Sequence, residues 1–458
     1  MSRPTQPDQS HATLRRLDHA YLWHPFTPMQ AWFEEDPVII VRGDGNELID
    51  DGGKRYLDGV SSLWCNVHGH NHPTLNAAIA TQLGQVAHTT LLGLTNVPAV
   101  RLAERLVDLA PPGLTRVFYS DNGATAEEAA LKMALQYWHL SGKPGKTRFA
   151  SLAQAYHGDT LGAVGVGYSE TFHHFFKPVL ADALRLTPPH VRRWRDRQSR
   201  ADALEQAIAE ARDAIARERD ALAAVVVEPL MQGAAGMWPH PPAYLRALRE
   251  ATDAAGVLLI CDEVATGFGR TGTMFACEQA GVAPDLLCVA KGITGGYLPL
   301  AATLATERVH DAFLGPPAEG RTFYHGHTYT GNPLGCAAAL ASLEVFEHDR
   351  TLDRLSSKIA RLERLLTSEV SPLQHVADVR QCGVMVGIEL AADAAERRAY
   401  SAAARMGARV TAEARRRGVI VRPLGDVVVL MPPLSITGDE IDRLVNVVRD
   451  AIGEVTGA

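Results

Sequence analysis

Short unbroken apolar runs, at residues 223–227, 257–261 and 286–290, punctuate the middle of the chain. Runs of that length with no polar alternation predict strands buried on both faces, as in parallel sheets. A further strand is predicted at 115–119. Between these runs the apolar spacing changes to steps of three and four residues. Ala130, Met133, Ala134, Tyr137 and Trp138 share one face of a helix that opens at a glycine turn directly after 115–119. Residues 76–109 also have helical spacing, interrupted around 93–98. Residues 196–222 predict a charged, alanine-rich helix with a solvated face, since both signs are interleaved. Near the start, Pro25 and Pro28 prevent 11–36 from forming one helix. Residues 38–41 and 47–57 predict two strands joined by a Gly-Asp-Gly-Asn turn. Beyond 336, helices at 337–347, 352–370 and 404–417 alternate with strands at 384–390, 419–422 and 427–431, an α+β arrangement. The pattern predicts an α/β protein, and 458 residues allow two or more domains.

The apolar runs end on groups with chemistry. Asp262 follows 257–261, Lys291 follows 286–290, and Glu228 follows 223–227. In an open α/β sheet the ligand lies beyond the carboxyl ends of the strands, so Asp262 and Lys291 are expected to face one crevice. Alone, a strand-end lysine is ordinarily solvated and a strand-end aspartate ordinarily caps a turn. Together, in glycine-rich surroundings, they suit pyridoxal 5'-phosphate: its aldehyde takes a lysine as a Schiff base and its ring nitrogen needs an acid. The strand 115–119, followed by Gly123, Ala124 and a helix start, offers free backbone N–H groups and a positive dipole end for a phosphate.

Composition narrows the choice. With 45 basic and 52 acidic residues, net −7, and no basic block, nucleic acid is not an expected partner. The polar start lacks a signal pattern, and no apolar run approaches the ~20 residues of a membrane helix. Six cysteines without a Cys-x-x-Cys pair predict reduced thiols and a cytoplasmic location. His68, His70 and His72 alternate, but no carboxylate or cysteine is spaced to complete a metal site; a loop bordering the pocket is expected instead.

The stretches DEVATGFGRTG, from Asp262, and AKGITGGYLPL, from Ala290, resemble the class III, fold-type I pyridoxal-phosphate aminotransferases, and the likeness covers nearly the whole chain. Within that group the sequence is most similar to the 7,8-diaminononanoate synthases of biotin biosynthesis. The resemblance implies an N-terminal arm and small-domain strands at 1–75, a large cofactor-binding domain at 76–335 with a mostly parallel sheet, and a small C-terminal domain at 336–458. It implies Lys291 and Asp262 as catalytic residues. Gly123 and Ala124 would hold the cofactor phosphate, with Ala124 standing where members often carry serine. Tyr156, just before His157-Gly158, would cover the cofactor ring. Gly326, His327 and Thr328 would reach into the neighbouring subunit's site, with Thr328 on its cofactor phosphate, so that a homodimer shares its active sites. Phe26, Leu63, Trp64, Tyr156, Gly326 and Arg422 would contact substrate, Arg422 as a bidentate clamp on a carboxylate.

The expected reaction is amino transfer to 8-amino-7-oxononanoate. Members that take the amino group from S-adenosylmethionine typically carry tyrosine at the Phe26 position and tryptophan at the Leu63 position. The departures at both favour lysine as donor by a small margin. A 4-aminobutyrate or ornithine type transaminase, and a pyridoxal-phosphate aminomutase, share the same core residues.

Overall fold

Strands that are apolar from end to end form the centre of the molecule. The computed structural model describes residues 10–190 and 198–457; the polar start, apart from Ser10, and residues 196–197 of the expected charged helix lie outside them. In chain order the strands are β1 (Ile40–Asp44), β2 (Glu47–Asp50), β3 (Arg55–Asp58), β4 (Leu114–Ser120), β5 (Arg148–Leu152), β6 (Leu184–Leu186), β7 (Leu222–Val227), β8 (Met231–Gln232) and β9 (Trp238–Pro239). They continue with β10 (Leu258–Asp262), β11 (Leu286–Val289), β12 (Ala301–Thr306), β13 (Val376–Cys382), β14 (Met385–Leu390), β15 (Val419–Ile420), β16 (Arg422–Leu424) and β17 (Val427–Leu430).

Seven of them make one sheet in the order β4-β12-β11-β10-β7-β5-β6. Neighbours from β11 to β6 pair in parallel, and β12 runs against both of its neighbours. Every residue of β7, β10 and β11 is buried, because helices cover both faces. One of those helices, Arg200–Glu218, buries Ala203, Ala207, Ala211 and Ile215 and turns its charges outward. Another, Pro333–His348, spans the expected boundary at 335–336 and places Cys336, Ala339, Leu343 and Phe346 in the same core as Val225 and Leu259 of the large sheet.

The chain's two ends share a second core, in which Leu57 packs with Leu362, Val386, Val428, Ile441 and Val448. Two four-stranded sheets frame it, β1-β2-β3-β15 and β13-β14-β17-β16. The parallel pairing of β15 with β3 joins residues more than 350 positions apart in sequence. Arg270 bridges the two cores: fully buried, it donates to the carbonyls of Asn66 (2.7 Å) and Pro432 (2.8 Å).

Several expected elements are corrected. The run 47–57 is two strands, because Asp51–Lys54 turns with Gly53 at φ 83° and Asp50 accepts from the N–H groups of Gly52 and Lys54. The stretch 419–422 breaks at Val421 into β15 and β16, which belong to different sheets. Strand β13 and the helix Gly438–Thr456 were not anticipated; Thr437 and Glu440 close that helix's capping box, a signal present in the sequence. Among the described residues no helix is long and apolar enough to cross a membrane.

Candidate active site

Five strands of the large sheet deliver their following residues to one edge. After β4, Asn122 caps the helix Gly123–Leu140: its side chain accepts from the Thr125 N–H (3.1 Å), and Thr125 Oγ1 accepts from the Asn122 N–H (3.0 Å). The N–H groups of Gly123 and Ala124 lie in the first turn and have no acceptor within the helix. Glycine is required at 123 by close approach, since a Cβ there would stand 2.6 Å from Val264. After β5 come Tyr156, His157 and Gly158, the last at φ 122°, where a Cβ would stand 2.4 Å from that of Ala124. After β7 comes Glu228, accepting from the N–H groups of Gly233 (2.9 Å) and Tyr156 (3.2 Å). Burial pushes its carboxyl up to about 7, against the pull of His157.

Asp262 ends β10. Its Oδ2 lies 2.7 Å from His157 Nδ1, and its Oδ1 accepts the Val264 N–H at 2.9 Å. Burial works against a charge on His157, but the hydrogen bond and charge of Asp262, with Glu127 and Glu228 behind it, overcome that and raise it to about 9. His157 is therefore an imidazolium that fixes the Asp262 carboxylate in place. Lys291 follows β11 by two residues in a left-handed conformation, φ 47°, with Nζ 5.2 Å from the Trp64 ring centroid. Burial lowers its amine below the ordinary lysine range, and the charges of Asp262 and Glu228 only partly oppose this. Ser61, Ser62 and Trp64 also have positive φ, so backbone strain collects around the lysine.

Gly123, Ala124, Tyr156, Asp262, Lys291, Leu63 and Trp64 line a single cavity of about 730 Å³. The other expected residues are outside its lining. Gly326, His327 and Thr328 line a neighbouring cavity of about 1210 Å³ with Leu91, Phe118 and Tyr324. Gly326 and Thr328 are exposed, and His327 Nδ1 lies 2.9 Å from Asp121, which also lines the Lys291 cavity. Phe26 is 65% exposed and meets Phe172 edge-on at 5.9 Å. Phe172 contacts His173, which stacks on Tyr156 at 6.2 Å, so an aromatic chain links the arm to the cavity. Arg422 is exposed at the start of β16 and makes no ion pair among the described residues.

His68, His70 and His72 are not themselves in the cavity lining, but their loop adjoins it: Cys65 lines the cavity, and the His72 N–H donates to the hydroxyl of Tyr297, another lining residue. His68 is buried against Phe346 and bonds Ser342 (3.1 Å), and His70 bonds Asp58 (2.9 Å); both serve packing. The ligand atoms of Glu127, His157 and Asp262 fall within 4.8 Å of one another. The 2.7 Å contact between His157 and Asp262 leaves no space for an ion between them. His157, Glu228 and Glu127 were not among the expected site residues. His157 and Glu228 had signals, a position beside Tyr156 and a strand end; Glu127 had none, since it is half of a Glu-Glu pair on an ordinary helical stretch.

The family described as Aminotransferase class-III matches residues 29–452. A protein of Nitratidesulfovibrio vulgaris named adenosylmethionine-8-amino-7-oxononanoate aminotransferase is 57% identical over 448 residues, covering 97% of this chain and 82% of that one. A Geobacter sulfurreducens protein of the same name is 50% identical over 98% of this chain and 100% of its own. The crystal structure of the so-named Methanocaldococcus jannaschii protein superposes with a TM-score of 0.92 at 44% identity, covering 97% of this chain and 99% of that one. An amine transaminase from an uncultivated Pseudomonas species, in its pyridoxal-phosphate-bound form, gives 0.90 at 40% identity over 95% of this chain and 98% of that one. The chain belongs to the class-III aminotransferases.

Proposed function

We propose that the protein transfers an amino group to 8-amino-7-oxononanoate, yielding 7,8-diaminononanoate, with pyridoxal 5'-phosphate as cofactor. The observation that carries the reading is the meeting of an amine, a fixed carboxylate and an open helix N-terminus in one cavity, in a chain whose relatives at 50–57% identity bear that activity in their names. The residues fit the cofactor: the unused N–H groups of Gly123 and Ala124 suit its phosphate, Tyr156 offers a flat wall, and Asp262 is held ready for a cationic ring nitrogen. When bound, the cofactor supplies the electron-withdrawing ring that makes the hydrogen on the amine carbon acidic.

The chain's own residues do the rest. Lys291, with its proton affinity lowered by burial, is the nucleophile that would hold the cofactor, and its Nζ is placed to move the proton. His157 orients Asp262 through its 2.7 Å contact. Trp64 and Leu63 wall off water beside Lys291. Arg422, having no partner of its own, binds the substrate carboxylate. Gly326 and Thr328, exposed on one chain, and His327 between them complete the site of a second copy, so the working unit is a homodimer, acting in the cytoplasm.

Each of two donors is favoured by an observation. S-adenosylmethionine is supported by the relatives' names. Lysine is supported by Leu63, which gives the cavity an aliphatic wall half exposed to it, and by Phe26, which lacks a hydroxyl. The test uses the loaded protein: its visible absorbance is followed as either donor is added alone, then 8-amino-7-oxononanoate. Loss with one donor and recovery with the keto acid is expected; no recovery with that acid would reject the substrate.

A further inference from the structure

Glu127 takes no part in the steps above, yet it stands directly behind them. It lies in the second turn of the helix Gly123–Leu140 and is fully buried. Neither carboxyl oxygen meets a nitrogen or oxygen donor among the described residues, and the only group there in reach to donate is the weak Cys288 thiol. The titratable groups facing it are Asp262 at the end of β10, His157 after β5, Glu228 after β7 and Cys288 on β11, whose thiol donates to the Ala126 carbonyl (3.5 Å). An ionised Glu127 would stand with no donor stronger than a thiol beside the Asp262 carboxylate, so the folded chain keeps it neutral. Burial, then Asp262, pushes it up to about 8.

In this state His157 and Asp262 face each other at 2.7 Å, Glu127 is neutral, and Glu228, raised to about 7, stands beside them. A cation arriving on the cavity side of Asp262 adds a positive charge to the cluster, and a neutral carboxylic acid within 4.8 Å is placed to offset it.

We propose that Glu127 is a positioning residue that holds a proton in reserve behind the Asp262–His157 pair and gives it up when the cofactor's cationic ring nitrogen docks on Asp262. Its O–H bond breaks, the electron pair remains on the carboxylate, and the proton passes to the buffer. The inference rests on the pyridoxal-phosphate reading and adds that cofactor uptake by this chain is coupled to proton loss.

The experiment is calorimetric titration of pyridoxal 5'-phosphate into cofactor-stripped protein at neutral pH, in PIPES and in imidazole, whose ionisation enthalpies differ. The buffer dependence counts protons released. The wild-type chain should release up to about one proton more than Glu127→Gln and than Glu127→Leu, which keeps the bulk without the acid. Thermal melting checks that the variants fold. Equal proton counts in all three would overturn the proposal. So would variants that fold but take up no cofactor, or failure of both to fold, since the carboxyl would then hold the structure rather than adjust its charge. A wild-type protein that gains no visible absorbance with pyridoxal 5'-phosphate would reject the cofactor reading itself, and the proposal with it.

Discussion

The two edges of the large sheet treat buried charge in opposite ways. At the amino edge, Asp285 precedes β11 and is fully matched: it accepts from the Leu259 N–H (2.8 Å) and pairs with Arg249 (3.0 Å) and Arg308. At the carboxyl edge, Glu127 meets no nitrogen or oxygen donor among the described residues, the Lys291 amine faces the cavity with the Trp64 ring 5.2 Å away, and the lysine backbone is left-handed. The strands are the same, and the accounting of polar groups differs. The matched edge stabilises the fold, and the unmatched edge leaves groups free for a ligand.

The contrast can be broken first at Lys291. Lys291→Ala should lower turnover by at least about 10⁴-fold and remove the visible absorbance of the loaded protein, with melting temperature unchanged or raised; residual turnover at a tenth of wild type would remove the lysine from the chemistry. Next, Asp262→Asn, which keeps the shape and loses the charge, should cost roughly 10²- to 10³-fold in turnover. Asp285→Ala tests the other edge. Removing the buried acid that pairs with Arg249 and Arg308 and accepts the Leu259 N–H should cost about 3 kcal/mol of stability in denaturant unfolding while turnover per folded molecule stays the same; a loss of turnover instead would mean the edges are not separate in function. Thr328→Ala should weaken cofactor retention by about 10-fold without changing the elution volume of the assembly; unchanged retention would take the 326–328 turn out of the partner's site.

The smallest effect is in pH. His157 is raised from 6.5 to about 9, so its contribution to stability is complete below 6.5 and is lost as pH rises through about 9. Glu127, raised from 4.5 to about 8, acts in the same direction over its lower window. Melting temperature should therefore fall from pH 6.5 to 9, and His157→Gln should flatten that slope; a parallel slope would show that His157 does not carry the extra proton.

What could be read from the sequence was whatever depends on local order along the chain. Lys291 and Asp262 were legible because an apolar run stopping on a charged residue, followed by glycines, fixes where that residue sits. Gly123 was legible because a strand, a turn and a helix occur in succession. The division of 47–57 was legible and was passed over: six residues without an apolar side chain, 50–55, separate Leu48-Ile49 from Tyr56-Leu57, and Asp51-Gly52-Gly53 is a turn signal. Glu127 was hidden. Only the packing of its helix against β10 and β11 distinguishes it from its solvent-facing type, and that packing is tertiary. The turn 326–328 is of a third kind, since its proposed role depends on a second chain.

Arg270 has a kinetic consequence. Its guanidinium ties Asn66 to Pro432, its own carbonyl accepts from Val384, and the amides of Met431 and Leu434 bond the carbonyls of Gly59 and Val67. Four distant segments are thereby laced through one point, and none can open alone. In hydrogen–deuterium exchange their amides should share a single opening free energy rather than a spread of local ones. The lifetime of the Trp64 wall would then be set by the C-terminal segments, whose Met385, Val427 and Met431 share a core with it.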